Sequence, residues 1–154
     1  MSKIRITKEF NFEMAHALHG YDGPCKNIHG HSYHLSVTVI GQPITELNNP
    51  KRGMVMDFTD LKQIMKPIID ELDHATILDK STPYIKLAEG NPLFKKLVIA
   101  DYQPTCENLL ADIAKRLLSQ LPDGVMLHHL RLRETASSFA EWHLEDNMES
   151  NLKK

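Results

Sequence analysis

Apolar and polar side chains alternate over the first part of the chain. In residues 4–17, Phe10, Phe12, Met14 and His16 share one parity, which predicts a strand with those four on one face. Residues 18–28 hold Gly20, Asp22, Gly23, Pro24 and Asn27 and predict a loop. Alternation resumes over 29–41, where Tyr33, Leu35, Val37 and Val39 interleave with Ser32, His34, Ser36 and Thr38 and predict a second strand. Residues 42–52 carry two prolines and two asparagines and predict a hairpin loop, with a short third strand from Gly53 to Asp57.

The period then changes. Phe58, Leu61, Ile64, Met65, Ile68, Ile69 and Leu72 recur at three- and four-residue intervals, the stripe of an amphipathic helix that Asp57 or Thr59 can cap. Pro67 falls inside it and removes one backbone donor. Residues 79–103, broken by Pro83, Gly90 and Pro92, predict a long excursion with a short helix near 92–98. Thr105 caps a second long helix with Leu109, Leu110, Ile113, Leu117, Leu118 and Leu121 as its stripe, stopped by Pro122-Asp123-Gly124. A fourth strand is expected over 125–135, with Leu130, Leu132 and Glu134 on one face, and a frayed polar tail after Asn147. The sum is an α+β fold in one domain spanning 1–154: an antiparallel four-stranded sheet with two long helices on one face.

Composition narrows the function classes. A net charge of −2 gives no pull toward nucleic acid or anionic membrane. Two cysteines, Cys25 and Cys106, make no disulfide framework, and with no apolar leader at the N-terminus a cytoplasmic protein is expected. No apolar run is long enough to span a bilayer.

Nine histidines are many for 154 residues, and three of them form a pattern. His29 and His31 flank Gly30 on one strand, so their side chains point the same way about 7 Å apart. His16, at the near end of the preceding strand, supplies a third imidazole across the connection. Three neutral nitrogens with an open position is the ligand pattern of catalytic zinc, whereas a lone strand histidine is ordinarily a surface polar residue. His34 has the opposite parity and should not share that metal. His19 could line the site; His128, His129 and His143 carry no metal signal of their own.

Cys25 lies in the loop feeding the histidine strand, where a nearby cation lowers a thiol's pKa. Cys106 is assigned a structural role. Asp73-His74, at the end of the first helix, has the make-up of an acid–base pair, although a helix C-terminus also favours histidine for dipole reasons. Glu134 is a carboxylate at a parity that predicts burial, and so needs a partner. Arg131 and Arg133 have the other parity.

Taken in order, Phe10-x-Phe12-x-x-Ala15-His16, Cys25-x-x-x-His29-Gly30-His31-x-Tyr33, Gly53-Met-Val-Met-Asp57-Phe58, Leu72-Asp73-His74, Pro104-Thr-Cys-Glu107-Asn108 and Arg133-Glu134-Thr135 resemble the 6-pyruvoyltetrahydropterin synthase family. The spacing of three residues between Cys25 and His29 resembles its 6-carboxytetrahydropterin synthase branch, in the queuosine pathway. The resemblance implies a tunnelling fold whose sheets close into a barrel between subunits, in a homohexamer built as two trimers. It implies Zn2+ on His16, His29 and His31, Cys25 as the proton-abstracting thiolate, Asp73 and His74 as a relay to it, and Glu134 as anchor of the pterin ring. Thr105 and Glu107 would join Glu134 in binding substrate. The triphosphate needs cations, for which Lys8, Lys26 and Lys51 or Arg52 are candidates. The implied reaction takes 7,8-dihydroneopterin triphosphate to 6-carboxy-5,6,7,8-tetrahydropterin, acetaldehyde and triphosphate. Its rivals are triphosphate elimination without carbon–carbon cleavage, as in the 6-pyruvoyl branch, and a non-catalytic zinc-binding assembly module. Partners of either enzyme would be the small pterin substrate and other copies of the chain, with no nucleic acid and no membrane.

Overall fold

The structure, a computed structural model, describes residues 2–148; the expected frayed tail lies for the most part outside them. Two 13-residue strands, β1 (Ile4–His16) and β2 (His29–Gly41), pair antiparallel along their whole length, from Ile4 opposite Gly41 to His16 opposite His29. Helix α1 (Phe58–Leu72) begins at Asp57, whose carboxylate accepts from the Thr59 backbone N–H at 2.8 Å. Helix α3 (Cys106–Leu118) begins at Thr105, whose hydroxyl accepts from the Asn108 backbone N–H at 3.2 Å.

The sheet has six strands, not the four expected. Its order is β4-β3-β1-β2-β5-β6, with β3 (Ala75–Asp79), β4 (Leu97–Ala100), β5 (Val125–Arg133) and β6 (Phe139–His143). It is also mixed: β3 runs parallel to β1, and β4 parallel to β3, while β1, β2, β5 and β6 are antiparallel. Gly53–Asp57 is not a strand. Gly53 has φ +87°, and its N–H donates to the Ile44 carbonyl while Ile44 donates to Met54, a tight reversal in place of a ladder. The 79–103 excursion carries the short helix α2 (Ile85–Ala88), a 3-10 turn at Pro92–Phe94 and strand β4 in place of the helix expected near 92–98. A last short helix, α4 (Leu144–Met148), follows β6 directly.

Alternation on the long strands determines where the core lies. Phe12 and Met14 of β1, Tyr33, Leu35, Val37 and Val39 of β2, and Leu127, Leu130 and Leu132 of β5 are buried under α1 and α3. Leu61, Met65, Ile68 and Leu72 answer from α1, and Leu109, Leu110, Ile113 and Leu117 from α3. Each such side chain contributes about 1.5–3 kcal/mol by leaving water. His16 continues this buried row to the end of β1 and is itself only 2 % exposed.

A candidate metal centre and active site

The hairpin brings the three histidines together by register. His16 is opposite His29, and His31 is opposite Met14, so all three project from the core-facing rows at one end of the sheet. Their ring centroids are 4.5, 5.1 and 5.0 Å apart. Gly30 eases the approach of the two strands: a Cβ on it would stand 3.2 Å from the Met14 carbonyl of the facing strand, a tight contact.

Hydrogen bonds set the tautomers. His16 Nδ1 lies 2.7 Å from the Pro104 carbonyl, and His29 Nδ1 lies 2.8 Å from the Asn27 carbonyl. A carbonyl only accepts, so each Nδ1 carries the proton and each Nε2 is a bare acceptor. Those two Nε2 atoms are 3.0 Å apart. Two lone pairs so placed repel unless a cation lies between them, and two nitrogens on a tetrahedral zinc lie about 3.3 Å apart. Burial lowers the His16 pKa, and His29 and His31 act in the same direction against the opposing Pro104 and Glu134. The His16 imidazole is thus biased toward its neutral form, as ligation requires. The donor set suits a borderline divalent ion such as Zn2+.

Glu134 follows β5 and closes the cluster from one side. One carboxylate oxygen is 3.6 Å from His16 Nε2 and 3.6 Å from His31 Nε2. Arg131 pairs with Glu141 and Arg133 donates to the Ala136 carbonyl, which leaves Glu134 to the histidines and to Tyr33. The Tyr33 hydroxyl donates to Glu134 at 3.3 Å while its ring stacks on Phe12 at 5.1 Å. Burial, with Glu134 next, pushes the phenol far above its usual range, so it remains a donor. Tyr33 and the Pro104 carbonyl were visible in the sequence only as motif members without a role.

Cys25 sits in a 3-10 turn, Pro24–Lys26, within the loop that joins His16 to His29. The loop is closed by Leu18 N–H donating to the Cys25 carbonyl at 2.9 Å. Gln103 ties it to the α3 side: its amide oxygen accepts from the His19 N–H at 3.2 Å and its NH2 donates to the His19 carbonyl at 2.8 Å. No sequence signal singled out Gln103. The Cys25 thiol is unbridged and half-buried. Cys106, by contrast, is buried, donates to the Leu132 carbonyl at 3.3 Å, and is pushed up to about 11 by burial and by Glu134.

Asp73 caps α1 and His74 turns the chain into β3 with φ +59°, the one positive φ outside glycine among the described residues. Asp73 accepts from the Glu13 N–H at 2.9 Å with one oxygen and lies 2.9 Å from His74 Nδ1 with the other. Those bonds, the Glu13 one first, hold its carboxyl below the usual range. The pair is exposed beside Glu13, and within one chain no hydrogen bond joins it to Cys25 among the described residues. Thr105 spends its hydroxyl on the α3 cap, and Glu107 is exposed in the first turn. Of the four cations, Lys51 is engaged by Asp60 and Asp57, and Lys8 lies 5.9 Å from the Phe10 and Phe58 rings. Lys26 and His19 line a cavity of about 750 Å³ between the Cys25 loop and the 79–103 excursion. Arg52 is exposed.

The family model of 6-pyruvoyl tetrahydropterin synthase matches residues 5–145, nearly the whole described chain. The chain belongs to the 6-pyruvoyl tetrahydropterin synthase family of enzymes. Among its relatives is the 6-carboxy-5,6,7,8-tetrahydropterin synthase of Haemophilus influenzae, 36% identical over 142 residues, which are 90% of this chain and 98% of that protein. The Aquifex aeolicus protein of the same name is 31% identical, over 91% of this chain and 98% of its own. The fold is likewise that of solved structures. The Wolinella succinogenes protein WS1659 superposes with a TM-score of 0.78 at 22% identity, covering 94% of this chain and 99% of that one. Caenorhabditis elegans 6-pyruvoyl tetrahydropterin synthase superposes with a TM-score of 0.66 at 25% identity, covering 93% and 96%.

Proposed function

We propose that this chain converts 7,8-dihydroneopterin triphosphate and water to 6-carboxy-5,6,7,8-tetrahydropterin, acetaldehyde and triphosphate, with Zn2+ on His16, His29 and His31, in the queuosine pathway of the cytoplasm. The observation that carries the reading is the convergence of bare Nε2 atoms beside the Glu134 carboxylate, in a chain 36% identical to a protein named for that reaction. Zinc bound there would polarise the substrate's side-chain oxygens and acidify the adjoining C–H.

The chain's own groups do the rest. Glu134 accepts from the guanidine-like edge of the pterin, with Tyr33 holding the carboxylate in place; Thr105 and Glu107 flank the ring. Cys25 removes a proton from the side-chain carbon as thiolate. His74, steadied by Asp73, returns protons as the side chain rearranges and triphosphate leaves. Water then adds to the carbonyl next to the ring, the bond to the outer two carbons breaks, and the departing carbon takes a proton to leave as acetaldehyde. Oxidation of the side chain matches reduction of the ring, so the sum needs no external oxidant. Within one chain no hydrogen bond joins Cys25 to the Asp73–His74 pair among the described residues. That, together with the outer edges of β4 and β6, unpaired among the described residues, favours a homo-oligomer, the implied form being a hexamer of two trimers.

Incubation of the zinc-loaded protein with dihydroneopterin triphosphate is the decisive experiment. Acetaldehyde released in step with triphosphate is the expected result. Triphosphate without acetaldehyde would assign the 6-pyruvoyl reaction instead, and neither product would leave a non-catalytic zinc module. Tyr33→Phe tests the anchor. It keeps the stack on Phe12 and removes one hydrogen bond to a charged group, worth about 1.5–3 kcal/mol. KM for the pterin should rise at least about tenfold, with zinc content unchanged and the melting temperature lowered by the loss of the same bond. An unchanged KM would remove Tyr33 from the site.

A further inference from the structure

Strands β5 and β6 carry a second set of ligand side chains, on the sheet face opposite the helices. His129 and His143 are direct cross-strand partners, and their rings stack with centroids 4.3 Å apart at 20°. Glu141 has the same parity as His143, and one of its oxygens lies 3.2 Å from His129 Nε2. One donor atom from each of the three residues lies within 4.8 Å of the other two.

The placement depends on an irregularity. His129 pairs with Thr38 of β2, yet Leu127 pairs with Val39, so His128 is an extra residue on β5. Such a bulge re-aims the side chains around it. Here it leaves His129 on the same open face as Glu141 and His143 two residues from buried Leu127, where strict alternation puts neighbours two apart on one face. With side chains of His129 and Glu141 20% and 32% exposed, an ion can enter from solvent.

We propose that His129, Glu141 and His143 form a second metal site, separate from the His16–His29–His31 centre, for a borderline first-row ion of the Ni2+, Cu2+ or Zn2+ kind. Two imidazoles and one carboxylate prefer such ions to Mg2+ or Ca2+. Filling it requires the rings to turn out of their stack until the lone pairs converge, with donors about 3.3 Å apart as on a tetrahedral ion. Arg131 sets the affinity. Its guanidinium nitrogens lie 2.9 Å from the same Glu141 oxygen, and that positive charge opposes the ion. The second oxygen keeps its acceptor capacity. The site therefore fills after the three-histidine centre and releases its ion first.

Trp142, the chain's only tryptophan, lies between Glu141 and His143 in sequence and reports on the site. The test is a titration of the zinc-loaded protein with Ni2+, followed by equilibrium dialysis with elemental analysis and by Trp142 emission. One additional nickel per chain and saturable quenching are expected. In His143→Ala and in His129→Ala the added nickel should vanish, or the quenching midpoint should rise at least tenfold. His143→Gln and His129→Gln should behave alike and, with circular dichroism, separate ligand loss from misfolding. Mg2+ should not quench. His29→Ala should still take up nickel at the second site, which distinguishes failure of this proposal from failure of the zinc reading. Unchanged uptake and midpoint in folded His143 and His129 variants, or no nickel beyond the first centre in the parent, would overturn the proposal.

Discussion

Replacing Cys25 with alanine is expected to cut acetaldehyde formation by about 10²–10⁴-fold, the usual worth of a positioned base. Zinc content and melting temperature should stay at the parent values. The side chain makes no hydrogen bond among the described residues, and the loop around it is held by backbone bonds that alanine keeps, Leu18 to Cys25 among them. A thiol that served instead as a metal ligand would show itself by zinc loss. One that merely packed would lower the melting temperature and spare turnover. Cys106→Ala is the internal control: its thiol is buried and bonded to the Leu132 carbonyl, so its loss should cost stability and little activity. Turnover of Cys25→Ala within threefold of the parent would hand the proton abstraction to another group.

The second large effect is expected in His29→Ala and His31→Ala. Loss of even an outer partner of a metal ligand costs about 10–100-fold in affinity, so loss of a nitrogen from the three-histidine set should exceed that range. Bound zinc measured by elemental analysis should fall to trace levels, and turnover with it. A protein at a metal concentration 100 times Kd gains about 2.7 kcal/mol from the bound ion, so both variants should melt as the chelated parent does. His34→Ala should match the parent, because His34 lies on the exposed row of β2. Full zinc in both ligand variants would remove the metal assignment.

How much of this was legible before the fold was known depended on what each feature needs. The β1–β2 hairpin was legible because strict alternation determines both the strands and the faces; parity puts His29 and His31 on one face, and the hairpin register adds His16. Both helix starts were legible because Asp57 and Thr105 cap by local bonds. Strands β3 and β4 were not. They are short, and β3 exists because Ala75–Ile77 pairs in parallel with Met14–His16, a contact remote in sequence. Gly53–Asp57 reads as a strand by composition, but a glycine at positive φ and a bond to Ile44 turn it into a reversal. The His129–Glu141–His143 cluster was hidden for a related reason: β6 was not expected, and a bulge at His128 cannot be seen in a pattern that assumes regular alternation.

The corner at His74 bears on how this sequence can change. A left-handed backbone favours glycine, and an ordinary side chain there costs about 1–2 kcal/mol. The fold alone is better served by glycine or asparagine at that position. If the imidazole is the proton donor proposed above, folding and chemistry select opposite residues at one codon. A library screened only for heat resistance should drift to glycine at 74, and one screened for product should hold histidine and accept the lower melting temperature.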